Sequence, residues 1–151
     1  MQNVKQLTNS HDGDNLFATR GAGVCLHITA LPGPHGIGEL GQSAFRFVDC
    51  LTAMRMSVWQ FLPTGPTAYG DSPYQPLSTF AGNELLIDIR DLVAKRLLDN
   101  SEVGELLDLS KAEVDYGNLI PVKTRLLALA ASRFEERADS DLKVALEGFV
   151  A

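Results

Sequence analysis

Long apolar runs are missing from this chain. No stretch approaches the roughly 18 consecutive hydrophobic residues that a membrane-spanning helix needs, so the sequence places nothing across a bilayer. Cysteine is scarce: Cys25 and Cys50 are the only two, without C-x-x-C spacing. Each lies among apolar neighbours and reads as a small buried thiol in a reducing cytoplasm, not as half of a disulfide or a metal clasp. A basic cluster is absent too. The 13 Lys and Arg against 19 Asp and Glu leave a net charge of −6, the wrong sign for neutralising phosphates, so nucleic acid is excluded as the expected partner. The first 19 residues, Met1 to Thr19, show neither periodicity nor the apolar block of a secretory signal, and residues 1–19 are expected to be a leader outside the folded part. No internal repeat and no low-complexity segment occurs.

What is present is globular. Hydrophobic residues make up 45% and charged residues 21% of 151, enough for one domain with a real core. Val24-Cys25-Leu26-His27-Ile28 is a short apolar run that predicts a strand covered on both faces, ending in a Pro/Gly loop from Leu31 to Gly38. Ala44, Phe45, Phe47, Val48, Leu51 and Met54 recur at helical spacing and predict one apolar helix face. Ser57 to Leu62 is a second strand, again ending in a loop. Two strands about 30 residues apart with a helix between them make a βαβ unit, which is parallel and right-handed. Both long loops therefore leave the carboxyl ends of strands, where α/β folds place ligand sites. Farther on, Leu85 to Ile89 reads as a short strand and Ser101 to Leu107 as a short helix. Leu119, Ile120, Lys123, Leu126, Leu127, Ala130 and Phe134 align on a long helix with Pro121 in its first turn. A last amphipathic stretch carries Leu142, Ala145, Leu146 and Phe149. Two strands with four or five helices are too few for a closed sheet, so the chain reads as an incomplete α/β unit of marginal stability.

The loop WQFLPTGPTAYGDSPYQPLSTFAGN, residues 59–83, holds the most unusual residues. Tyrosine rings offer flat apolar faces that match the C–H faces of sugars, and hydroxyl, carboxylate and amide groups converge beside them, as a saccharide site requires. An ordinary surface loop in which Tyr69 and Tyr74 pack is the competing reading. His27 and His35 are eight residues apart with no adjacent ligand constellation, so neither is expected to bind a metal.

Three ordered blocks, RGAGVCLHITALPGPHGIGELG, SVWQFLPTGPTAYGDSPYQPLSTFAGNELLIDI and VDYGNLIPVKTRLL, resemble the opening of the amylomaltase family of 4-α-glucanotransferases, glycoside hydrolase family 77. The likeness runs from about Arg20 to about Phe149. It implies that residues 20–151 form the amino-terminal part of a (β/α)8 TIM barrel, incomplete in this chain. It further implies transfer of α-1,4-glucan segments between glucans by a retaining double displacement. The partners would be maltooligosaccharides or starch- or glycogen-derived dextrins, with no metal and no organic cofactor. Carried over residue by residue, the family motif makes Tyr69, Asp71, Ser72 and Tyr74 substrate-binding, and Trp59, Gln60, Gln75 and Asn83 framework near the site. Ala68 and Glu39 depart from the family's common Gly and Asp. The family's catalytic carboxylates lie on later strands, so no catalytic residue is expected here, and Asp71 and Glu39 are not candidates for that role. A non-catalytic glucan-binding module is the alternative, and an α-amylase-type hydrolase a third reading that the YGDSPYQ and FAGN blocks oppose.

Overall fold

The computed structural model describes residues 20–67, 69–78 and 80–150. The expected leader, 1–19, and Ala68 lie outside the described residues. Among the described residues no helix is long and apolar enough to cross a membrane.

Strand β1 (Gly23–Cys25) pairs in parallel with β2 (Val58–Gln60), with Val24 opposite Trp59 and Cys25 opposite Gln60. Helix α1 (Gln42–Ala53) makes the crossover between them. The βαβ unit expected from the spacing is therefore present, but its strands are only three residues long. Ile28 has already left the strand for a 3₁₀ turn over Ile28–Ala30. The sheet is also covered on one face only. Leu26, Phe47 and Trp59 pack with Ile28, Leu31, Ala44 and Leu86 on the α1 side, whereas Cys25 points the other way and is exposed. Cys50 is exposed on α1 as well, so the expectation of two buried thiols fails. Strand alternation and helix rotation carry both to faces that no described residue covers. The same geometry splits the expected apolar face of α1. Ala44 and Leu51 are buried on the sheet, while Phe45, Val48 and Met54 stand exposed.

A second core lies in the helical part. It joins Ile37 and Leu85 to residues of α2 (Ile89–Ala94), α3 (Gly104–Leu107) and α4 (Tyr116–Ser132), with Ile89, Leu106, Leu119 and Leu126 fully buried. Residues 85–89 are not a strand. Glu84–Leu86 is a 3₁₀ turn and Ile89 starts α2. Two side-chain caps decide this: Asn83 accepts from the Leu85 N–H at 2.9 Å and Asp88 from the Arg90 N–H at 2.9 Å. Leu85 then enters the helical core and Leu86 the sheet core, so this turn is the seam between the two. The helix expected over 101–107 is likewise divided, into a 3₁₀ turn at Asn100–Glu102 and α3. In α4 the Asp115 side chain accepts from the Asn118 N–H at 3.2 Å and starts the helix at Tyr116, which puts Pro121 in the second turn, not the first. A short α5 (Phe134–Arg137) and α6 (Ser140–Val150) complete the order. Leu142 of α6 packs on the helical core, but Phe149 is 88% exposed.

The end of α4 is stapled to the Asn100–Glu102 turn by Arg133, whose two terminal nitrogens meet the Glu102 carboxylate at 2.7 and 2.8 Å. The Arg133 hydrogen bonds hold Glu102 down from 4.5 to about 2. A carboxylate depressed in the folded state stabilises it fully above its unfolded value and loses that contribution as pH falls through the folded one. Thermal melts should therefore fall between about pH 4.5 and pH 2. Glu102→Gln is expected to flatten that part of the profile; an unaltered acid slope would disprove the assignment.

Candidate functional site

The segment after β2 folds back on itself. The Asn83 N–H donates to Thr64 O at 3.0 Å and the Leu77 N–H to Pro66 O at 2.9 Å. A single antiparallel bridge joins Thr67 to Pro76. These closures form the neck of a loop whose tip is residues 69–75. At the tip Gly70 and Asp71 are both left-handed, with φ of 71° and 53°. Glycine adopts that region freely and aspartate tolerates it, so the sequence YGD permits a turn that most side chains would strain. The Ser72 hydroxyl then accepts from the Tyr74 N–H at 3.3 Å, and the Gln75 N–H donates to Ser72 O at 3.1 Å.

The outcome is an aromatic held outward by its own backbone. Tyr74 is 68% exposed, with exposed Asp71 and half-buried Ser72 beside it in the turn. Tyr69 contributes its backbone to the Tyr69–Asp71 turn. Gln75 is exposed at the tip. Gln60 is exposed at the end of β2, and its carbonyl accepts from the Leu26 N–H at 2.9 Å. Asn83 is spent on capping the 3₁₀ turn at Glu84. Trp59 is packed, not presented. Its indole N–H donates to Leu26 O at 2.8 Å, and its ring meets Phe47 edge-on at 4.9 Å and Phe61 at 5.7 Å. Both loops leave the carboxyl ends of the parallel strands, so the tip and the turn at Ile28–Ala30 share that side.

Two further features escape a reading of the sequence. The first is Tyr116, the opening residue of α4. Burial pushes its hydroxyl above the ordinary value; the Thr29 side chain, within hydrogen-bonding reach, opposes this, and the negative charge of Asp71 adds to it. Segments at 29 and 116 thus approach each other, and the charge of Asp71 is felt at the phenol. A cleft of about 380 Å³ opens beside them, lined by Thr29, Leu31, Ile37, Ser110 and Val114. A hollow of about 650 Å³ lies elsewhere, among Leu40, Phe45, Asn83, Ile87 and Arg90; of the tip residues none lines it.

The second is a buried ionic cluster. Glu39 Oε2 accepts from His35 Nδ1 at 2.8 Å, and Glu39 Oε1 accepts from Lys123 Nζ and from the Ile89 N–H at 3.4 Å. Asp88 stands beside them, bonded to Arg90 and to the Gln42 N–H at the start of α1. Gly41 permits this closeness, since a Cβ there would meet Asp88 Oδ2 at 1.7 Å. His35, Glu39 and Asp88 are ligand types gathered within 4.8 Å, yet the Lys123 ammonium already occupies Glu39 and supplies the local positive charge. Burial draws Lys123 below its ordinary value, with Glu39 and Asp88 opposing. His27 Nδ1 is buried with no partner among the described residues, and burial draws that imidazole below its ordinary value. The overlooked signal was Lys123 itself: a cation inside an apolar helical stripe must find an acid.

Known proteins resemble this chain in sequence and fold. A family model described as 4-alpha-glucanotransferase matches residues 26–151. The 4-alpha-glucanotransferase of Streptococcus pneumoniae (strain TIGR4) is 46% identical over 121 residues, covering 80% of this chain and 24% of that protein. The Thermus thermophilus 4-alpha-glucanotransferase is 42% identical over 130 residues, covering 86% of this chain and 25% of its own length. The solved structure of amylomaltase from Streptococcus agalactiae in complex with acarbose superposes with a TM-score of 0.78 at 35% identity, covering 87% of this chain and 26% of that one. The chain spans about a quarter of the length of the curated relatives it matches.

Proposed function

Because this chain belongs to the 4-alpha-glucanotransferase family, we propose that residues 20–151 form the amino-terminal, glucan-contacting portion of a transferase that moves α-1,4-linked segments between glucans. The fold shared with amylomaltase is that of a TIM-barrel enzyme, to which β1, α1 and β2 contribute one βαβ unit. The observation that carries the reading is the outward Tyr74, fixed by its backbone beside Asp71 and Ser72 on the carboxyl side of the strands. A sugar ring stacked on Tyr74 would place its hydroxyls within reach of a carboxylate and a hydroxyl. The Streptococcus agalactiae amylomaltase was solved in complex with acarbose; for this chain the proposed ligand is a maltooligosaccharide.

This segment binds and orients; it does not cleave. Retaining transfer needs two carboxylates about 5 Å apart across the scissile bond. Glu39 and Asp88 are that close, but both are buried and bonded to Lys123 and Arg90, with no access to a glycosidic oxygen. Two exposed unpaired thiols suit a reducing compartment, and the cytoplasm is the one we propose.

The test is a titration of the isotope-labelled chain with maltoheptaose, followed by amide shifts. Perturbations should centre on residues 69–75 and around Tyr116, and Tyr74→Ala should weaken binding about three- to tenfold, the worth of one aromatic platform. Shifts elsewhere, or an affinity indifferent to Tyr74, would refute the site.

A further inference from the structure

Lys123 has no exposed surface, yet it ends in an ammonium group. A buried ion pair adds little net stability, because removing two charges from water costs about as much as their attraction returns. What such a pair does supply is direction. An apolar contact tolerates sliding and rotation, whereas a charged hydrogen bond holds its partners within a few tenths of an ångström and a narrow angle.

Glu39 is the node of three such bonds, each from a different place. His35 belongs to the loop after β1, Ile89 opens α2, and Lys123 sits in the middle of α4. On α4, Tyr116 lies seven residues before Lys123, two turns away on the same face and about 10 Å along the axis. The loop holding Glu39 is fastened to the turn after β1 by the Gly38 N–H, which donates to Thr29 O at 2.9 Å. The two walls of the cleft lined by Thr29 and by Ser110–Val114 are thus each one short step from the two ends of the Glu39–Lys123 pair. Nothing else charged and buried links α4 to this loop among the described residues.

We propose that Glu39 and Lys123 are positioning residues that set the rotation and height of α4 against the loop after β1, and so fix the cleft between Thr29–Gly38 of that loop and the segment Ser110–Val114 that leads into α4. The consequence for sugar binding rests on the function proposed above; the mechanical tie does not.

The experiment compares the wild-type chain with Glu39→Leu/Lys123→Met, which replaces the pair by apolar groups of similar volume. The double variant should melt close to wild type, since such exchanges are often neutral. Its amide hydrogen exchange at Gly38 and Leu119, whose N–H groups bond to Thr29 O and Asp115 O, should nonetheless quicken roughly tenfold. Maltoheptaose affinity should fall by a similar factor, through a cleft wall no longer held in place. Wild-type exchange and affinity in a stable double variant overturn the proposal, because a merely structural pair would leave both unmoved once stability is restored. Should the double variant not fold, Glu39→Gln alone is measured the same way: faster exchange at both amides supports the tie, and unchanged exchange overturns it. A wild-type chain that binds no maltoheptaose defeats the glucan reading alone, and the exchange comparison then decides the tie.

Discussion

Incubated with maltotriose, the 151-residue chain should release no glucose and build no longer glucans above a protein-free control. The expected deficit is the whole of the catalysis, at least about six orders of magnitude for an enzyme-promoted reaction. Double displacement requires a nucleophilic carboxylate on one side of the anomeric carbon and a proton donor on the other. The two buried carboxylates close enough to each other for that role are already engaged, Glu39 by Lys123 and His35, and Asp88 by Arg90 and Gln42. Binding surface without an acid–nucleophile pair lowers no barrier. Chromatography of the reaction products settles the matter, and sustained turnover by the purified chain would mean that the assignment of these carboxylates to structure is wrong.

Lys123→Met should cost more stability than Glu102→Gln, Tyr74→Ala or Glu39→Gln. It deletes the cation and leaves Glu39, itself 2% exposed, as a buried charge without its main partner. Such half-broken pairs cost about 3–5 kcal/mol, and for a chain of this size the melting temperature should drop by roughly 6–20 °C. Arg125→Met is the control. Its pair with Glu105 is more than half exposed on both sides, and exposed pairs contribute about 0–1 kcal/mol. Adding Glu39→Leu to Lys123→Met should recover most of the loss, because the uncompensated charge then disappears. Melting of Lys123→Met within about 2 °C of wild type would overturn this expectation.

The most legible parts of the sequence were those where local chemistry speaks for itself. The βαβ unit followed from two apolar runs separated by a helical period, and the YGDSPYQ tip from turn formers flanking aromatics; the order and parallel pairing are as the spacing requires. The readings that failed did so where a short apolar run could serve two geometries. Leu85 to Ile89 has strand composition, but Asn83 and Asp88 cap the backbone into turns and send adjacent leucines into separate cores. Pro121 looked like a first-turn proline until Asp115 took the cap and moved the start of α4 upstream. Cys25, Cys50, Phe45 and Val48 looked buried because apolar pattern records a tendency to be covered, not the presence of the covering element.

By itself the sequence determined the class of chain and the family to which it belongs, since three ordered blocks constrain identity far more tightly than composition does. It also determined which loop carries the aromatic and polar groups of the candidate site. Only the tertiary structure decided that the loop after β1 and the segment before α4 line one cleft, and that His35, Glu39 and Lys123 form one buried cluster. The reason is physical. Periodicity encodes which side of an element turns inward, because 3.6- and 2-residue repeats are local properties of the backbone. Which inward side chains then touch depends on how helices and loops far apart in the chain settle against each other, and a directional bond such as Lys123 to Glu39, 84 positions distant, leaves no periodic trace in the chain.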